Sequence, residues 1–201
     1  MPEKQQAPLL SPKFALALQF ANEIHATQAR KGEGAPYISH LMGVCSLVLE
    51  YGGDESQAIA ALLHDAAEDC GGRPMLETVR VMFGDPVAQI VESCTDTFDD
   101  PKPAWRPRKE AYLRHLERAP DAVKLVAAVE KLHNVTCTLR DIQAGGIAIF
   151  SKFSTGFADQ CWYYRGCLKA LRKEGKQLPI LNALQEQVER IEGIRDGAST
   201  R

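Results

Sequence analysis

The sequence predicts an all-α fold, a single bundle of about eight to ten helices. Three observations carry this. Apolar residues recur at helical spacing through most of the chain, alternating strand-like patterns are almost absent, and helix-starting and helix-stopping residues punctuate the chain at short intervals.

Ser11-Pro12 is a cap followed by proline at the first helical position, and Phe14, Ala17, Leu18, Ala21 and His25 then share a face. Lys31 to Pro36 holds two glycines and a proline and is a loop. A second helix covers roughly residues 37–51 and stops at Gly52-Gly53. Asp54 with Gln57 forms a capping box for a third, expected to run unbroken to about Gly71-Gly72. Pro74 opens a fourth helix that Gly84 closes, and Pro86 opens a fifth that reaches about Cys94. Thr95 to Pro107 is polar and broken by prolines, so it reads as a loop before a helix over about 108–116. A helix over about 121–141 follows, then an irregular stretch around Gly145-Gly146 and Phe150 to Phe157. A long helix over about 159–173 and a last one after Pro179 complete the chain. The expected organisation is an N-terminal extension over 1–10, one domain over 11–195 and a frayed tail over 196–201.

Composition narrows the function. The net charge is −2, which argues against a general nucleic-acid binder, since those present a basic surface. No apolar run is long enough to span a membrane, and the first ten residues do not form a secretory signal. The six cysteines are scattered without a CxxC pair, which reads as reduced thiols in a cytoplasmic protein.

The third helix carries the chemistry. Within Leu62-Leu63-His64-Asp65-Ala66-Ala67-Glu68-Asp69, a continuous helix puts His64 and Glu68 on one face and Asp65 and Asp69 on the next. Four such groups among Ala and Leu need partners, because unpaired polar groups are costly in an apolar setting. A divalent cation and a water would satisfy them. His40 adds a further nitrogen donor, giving with His64 and Asp65 the nitrogen and oxygen set of a first-row divalent metal. Taken alone, a histidine in that position is more often structural. Glu130, inside the apolar run from Leu125 to Leu132, is a candidate acid from another helix, with Asn134 one turn on; a solvated Glu is the plain alternative.

In that order, His40, His64-Asp65 and an acid at 130 resemble the HD-domain metal-dependent phosphohydrolases. The surroundings are similar to the RelA/SpoT-type alarmone hydrolases. The stretch from His25 through Arg30-Lys31 to Pro36-Tyr37-Ile38-Ser39-His40 looks like their first motif, and His64-Asp65-Ala66-Ala67-Glu68-Asp69 like their HDxxED motif. Lys131-Leu132-His133-Asn134 resembles the end of their last. This likeness spans about residues 21–141. It implies a stand-alone enzyme with Mn²⁺, or another divalent metal, held by His40, His64, Asp65 and Glu130. The substrate would be a small phosphorylated nucleotide, namely guanosine tetra- or pentaphosphate cut at its 3′-pyrophosphate.

By the same resemblance Glu68 and Asp69 orient or deprotonate the water, Arg30 and Lys31 meet the base, and Asn134 lies near ribose and metal. The plain alternatives are that Glu68 and Asp69 only hold His64 and that Arg30-Lys31 is a solvated pair. Arg108 and Lys109, in a basic loop beginning at Trp105, are candidates for the distal phosphates, with a solvated loop as the alternative. Trp162-Tyr163-Tyr164 reads as core, His25 as a satisfied core histidine, His133 as packed and His115 as surface. Asp96 resembles a family Thr-Asp element or is a helix-end residue. The family usually has aspartate where this chain has Glu130, whose carboxylate reaches about 1.5 Å farther. That implies a helix set back, a water between Glu130 and the ion, or a weak site. The remaining alternatives are a phosphohydrolase for another nucleotide and a nucleotide-binding regulator without turnover.

Overall fold

The computed structural model describes residues 9–30, 34–152, 155–173 and 178–197. Lys31, most of the expected N-terminal extension, two residues of the irregular stretch before residue 157 and the last residues of the tail lie outside the described residues.

Helix α1 (Pro12–Ile24) starts as expected, with the Ser11 hydroxyl accepting the Lys13 N–H at 3.2 Å. Helix α2 (Ile38–Glu50) follows the loop, which is pinned by a single antiparallel bridge between Ala29 and Pro36. Helix α3 (Glu55–Leu63) opens on the capping box: the Gln57 N–H donates to Asp54 Oδ1 at 2.8 Å, and the Asp54 N–H donates to Gln57 Oε1 at 2.9 Å.

The expected unbroken third helix is corrected here. Helix α3 stops at Leu63, and a separate one-turn helix, α4, covers Ala66–Asp69. Between them Asp65 takes φ −97° and ψ −3°, in the sparsely used bridge region. The cause is local. The His64 ring folds back and its Nδ1–H donates to the Ala61 carbonyl at 2.8 Å, within its own helix.

Helices α5 (Gly72–Phe83) and α6 (Asp85–Cys94) form a pair closed and opened by Gly84 and Pro86. Helix α7 (Trp105–Glu117) begins three residues before the expected start, because Pro107 falls in its first turn, where a missing N–H costs nothing. Helix α8 (Asp121–Gly145) outruns its expected end at 141, and the irregular stretch contains a 3₁₀ turn (Ile147–Lys152). Helices α9 (Phe157–Lys173) and α10 (Ile180–Gly197) finish the bundle.

Two helices form the axis of the core. In α3 every residue from Ala58 to Leu63 is buried, and in α8 every residue from Val123 to Leu132 is. A helix apolar on all sides has to be surrounded. Helix α8 accordingly contacts α2, α3, α6, α9 and α10. The exceptions to apolarity in that run of α8 are Lys124, Glu130 and Lys131, all buried, so their charges need partners inside the bundle. No helix of the described residues is long and apolar enough to cross a membrane.

The capping box should be measurable on its own. Asp54→Ala should lower the unfolding free energy by about 1 kcal/mol, seen as an earlier chemical-denaturation midpoint at unchanged slope. An unchanged midpoint would mean that the box does not hold the start of α3.

Candidate active site

The break after Leu63 lets two adjacent residues converge. His64 Nε2 lies 3.0 Å from Asp65 Oδ2, which a regular helix would not permit. His40, from the first turns of α2, brings its Nε2 to 3.3 Å from His64 Nε2 and 3.8 Å from Asp65 Oδ2. These three donors form a triangle, and the group is the one metal-competent cluster among the described residues. An ion bonded to nitrogen or oxygen at about 2.1 Å, in tetrahedral or octahedral geometry, spaces its donors roughly 3.0–3.4 Å apart. Two edges of the triangle match that spacing, the third is longer at 3.8 Å, and the nitrogen and oxygen donor set is one that a divalent cation takes.

Each corner is held from behind. Tyr37 donates its hydroxyl to Asp65 Oδ2 at 2.5 Å, while its ring stacks on His25 at 5.2 Å. The Ala61 carbonyl holds His64, and His133 Nδ1 lies 3.0 Å from His40 Nδ1. The charges follow from burial and from these partners. Burial pushes His40 well below the ordinary imidazole range, with His64 and Arg30 adding to it, so this ring is neutral. Burial also opposes charge on His64, but the Asp65 carboxylate, then Glu130 and the Ala61 carbonyl, outweigh it and hold the ring up at about 9. Asp65, against the effect of burial, is held far below the carboxylate range by His64, His40 and the Tyr37 hydroxyl. A proton on His64 thus answers the negative charge of the site, and a cation bound to that nitrogen displaces it.

Glu130 is not brought into the triangle. One of its oxygens accepts from Asn134 Nδ2 and the other pairs with Lys131 Nζ. Burial works against the Lys131 ammonium, but Glu130 outweighs it, and the rings of Tyr112 and Tyr163 lie 5.2 and 5.4 Å from the nitrogen. Glu130 nevertheless lines the same inner cavity of about 140 Å³ as His40, His64, Asp65 and Glu68.

That cavity adjoins a cleft of about 580 Å³ lined by Gln28, Arg30, Asp69, Lys102, Arg108 and Gln160, among others. Glu68 faces both hollows, whereas Asp69 faces the outer one. Glu68 Oε1 accepts from Lys102 Nζ at 2.9 Å and its other oxygen from the Asp96 N–H at 3.2 Å. Asp69 accepts from Gln28 Nε2 at 2.8 Å. Arg108 and Lys109 both pair with Asp96 Oδ2, Lys109 at 2.6 Å. Asp96 is therefore more than a helix end: it anchors two cations against the cleft. Arg30 Nη2 donates to Asn134 Oδ1 at 3.0 Å, tying the first loop to α8.

Several histidines and aromatics behave as their sequence positions suggest. His25 is buried, with Nδ1 2.6 Å from Gln28 Oε1, and His115 is exposed. Tyr163 and Tyr164 are core residues and wall the cleft as well. The residues that the sequence did not single out are Tyr37, Gln28 and Lys102. Tyr37 lay inside a motif already recognised; Lys102 is one charge in a polar loop, and nothing in the sequence sets it apart.

Comparison with known proteins agrees with this geometry. Residues 17–155 match the family model of the HD domain. The chain is 38% identical over 130 residues to the guanosine-3′,5′-bis(diphosphate) 3′-pyrophosphohydrolase MESH1 of Xenopus tropicalis, covering 63% of this chain and 68% of that protein. The human protein of the same name is 36% identical over 129 residues, 63% and 67% of the two chains. Against a long bacterial relative, the guanosine-3′,5′-bis(diphosphate) 3′-pyrophosphohydrolase of Aquifex aeolicus, 79 residues align at 43% identity, 39% of this chain and 11% of that one. A solved structure described as a metazoan ortholog of SpoT that hydrolyzes ppGpp superimposes with a TM-score of 0.74 at 27% identity, covering 94% of this chain and 99% of the other. The crystal structure of lmo0812 from Listeria monocytogenes gives a TM-score of 0.67 at 27% identity over 79% and 98%. With its donor triangle at the junction of α2, α3 and α4, the chain belongs to the HD-domain family and resembles that family's RelA/SpoT-type hydrolases.

Proposed function

We propose that this chain is a metal-dependent phosphohydrolase that removes the 3′-pyrophosphate of guanosine tetra- or pentaphosphate, with Mn²⁺ as its metal. The observation that carries the reading is the His40–His64–Asp65 triangle at the base of a cleft lined by acids and fixed cations, in a chain whose relatives are named for this reaction. In the cell the enzyme works in the cytoplasm.

An ion held by His40, His64 and Asp65 would polarise a phosphoryl oxygen and acidify a water. Glu130, whose oxygens both have partners on α8, would support that ion from outside the three donors. Glu68, which faces the inner cavity, takes the proton of the attacking water and returns it to the ribose 3′-oxygen as the bond from that oxygen to phosphorus breaks. Asp69, on the outer side, keeps Lys102 and Gln28 in place and shares the acidic work. Arg108 and Lys109, pre-positioned by Asp96, hold the anionic oxygens of the departing pyrophosphate. The ordering of both cations is completed before substrate arrives, so little reorganisation is left for the transition state. Arg30, with Lys31 beside it in sequence, meets the base, where a guanidinium can also stack. Asn134, fixed between Arg30 and Glu130, meets the ribose. One observation favours a second reading, a nucleotide-binding regulator without turnover: Glu130 is turned to Lys131 and Asn134 rather than to the triangle.

The decisive assay is pyrophosphate release from guanosine tetraphosphate by the purified protein with Mn²⁺. Asp65→Ala should abolish both turnover and bound divalent metal, read by elemental analysis. Wild-type protein that holds metal but leaves this nucleotide intact, while cleaving another in a panel, would overturn the substrate assignment. Glu68→Gln should retain the metal and lose about 10²- to 10⁴-fold in kcat. A variant with unchanged kcat would remove Glu68 from the proton transfer.

A further inference from the structure

Two of the three donors in the triangle are steadied by groups whose roles are plain, a backbone carbonyl behind His64 and a phenol beside Asp65. The third is different. His40 is fully buried on α2, and the contact given to its Nδ1 is another imidazole, His133 of α8, nitrogen to nitrogen at 3.0 Å. The two rings lie 4.8 Å apart between centroids and are tilted by 59°. Such a contact needs one N–H and one lone pair. The His40 nitrogen that faces His64 and Asp65 is Nε2. To offer a lone pair there, a neutral His40 has to carry its proton on Nδ1, and His133 Nδ1 has to accept it.

A second observation is independent of the first. A Cβ built on Gly43 of α2 would lie 2.4 Å from His133 Nε2 and 2.7 Å from its Cδ2. The ring of His133 therefore occupies the space that a side chain at position 43 would fill, one turn along α2 from His40. The absence of a side chain at Gly43 is what allows an α8 residue to reach under α2 and touch the back of His40.

We propose that His133 is a positioning residue: it accepts the Nδ1–H of His40 and so fixes both the tautomer and the rotation of that ring, leaving Nε2 free to bind a divalent cation. This rests on the metal reading of the triangle. The residue acts through His40 and touches neither ion nor nucleotide. Its removal weakens metal binding, and excess metal restores turnover without altering the KM for nucleotide.

The test compares full-length wild type with His133→Phe, which keeps a ring but no acceptor, and His133→Asn, whose amide oxygen can stand near the position of Nδ1. Mn²⁺ affinity is read from the electron paramagnetic resonance of the free ion, and thermal melting by circular dichroism checks the fold. His133→Phe should bind Mn²⁺ about 10- to 100-fold more weakly, with kcat recovering at high Mn²⁺, and His133→Asn should regain most of the lost affinity. Gly43→Ala, which pushes the His133 ring aside without changing it, should weaken binding in the same sense. The proposal is overturned if His133→Phe melts normally and binds Mn²⁺ like wild type, or if His133→Asn binds as weakly as His133→Phe. Should His133→Phe fail to fold, unchanged Mn²⁺ affinity in Gly43→Ala overturns it instead. Wild-type protein that binds no Mn²⁺ would overturn this proposal together with the metal reading, whereas normal wild-type binding with an indifferent His133→Phe overturns this proposal alone.

Discussion

The hydrogen bond from the His64 ring to the Ala61 carbonyl is the interaction on which the arrangement of the site depends. Consecutive residues of a regular helix diverge by about 100° around the axis, so an uninterrupted helix through His64 and Asp65 would point one of them away from His40. By bonding back into its own last turn, His64 closes α3 there and Asp65 turns into the bridge region. The two side chains then meet the same point in space. The cost is a backbone conformation few residues adopt, tolerated because Ala66, Ala67 and the whole second half of α3 are packed around it.

Around this point the bundle sorts its charges into two layers. The inner layer is a neutral imidazole and a protonated one, both shielded from water, with a partly exposed carboxylate beside them. The outer layer pairs Glu68 with Lys102, and Asp96 with Arg108 and Lys109. Asp96 is the pivot of the outer layer. It leaves one oxygen, and Arg108 its Nε, buried without a hydrogen-bond partner. Unmet hydrogen-bonding capacity beside two cations leaves this layer short of full satisfaction. A net charge near neutrality therefore hides a strongly polarised interior, and composition alone could not reveal the cleft.

Much of the fold was legible because helix boundaries are written in local chemistry. Ser11-Pro12, the Asp54–Gln57 box and the glycines at 52–53 and 84 act within a few residues of where they stand. The triangle was legible because metal chemistry restricts the residue types, and their order matched a known family. What could not be read depends on contacts remote in sequence. The interruption after Leu63 needs the His64 ring to choose a backbone carbonyl over solvent. The orientation of Glu130 is decided by Lys131 and Asn134, and its neighbourhood in sequence says nothing about which partner wins. Lys102 reaches Glu68 across 34 residues, and His133 reaches His40 across 93. His133 was expected only to be packed, and that was true as far as packing went.

The two hollows share a wall that includes Arg30, Tyr37, Glu68 and Asn134, yet they differ greatly in size. The inner one is about 140 Å³ and the outer one about 580 Å³. The metal-competent donors and the wider space thus sit in separate compartments. Substitutions along the outer walls can therefore reshape the wide hollow while the donor triangle stays intact.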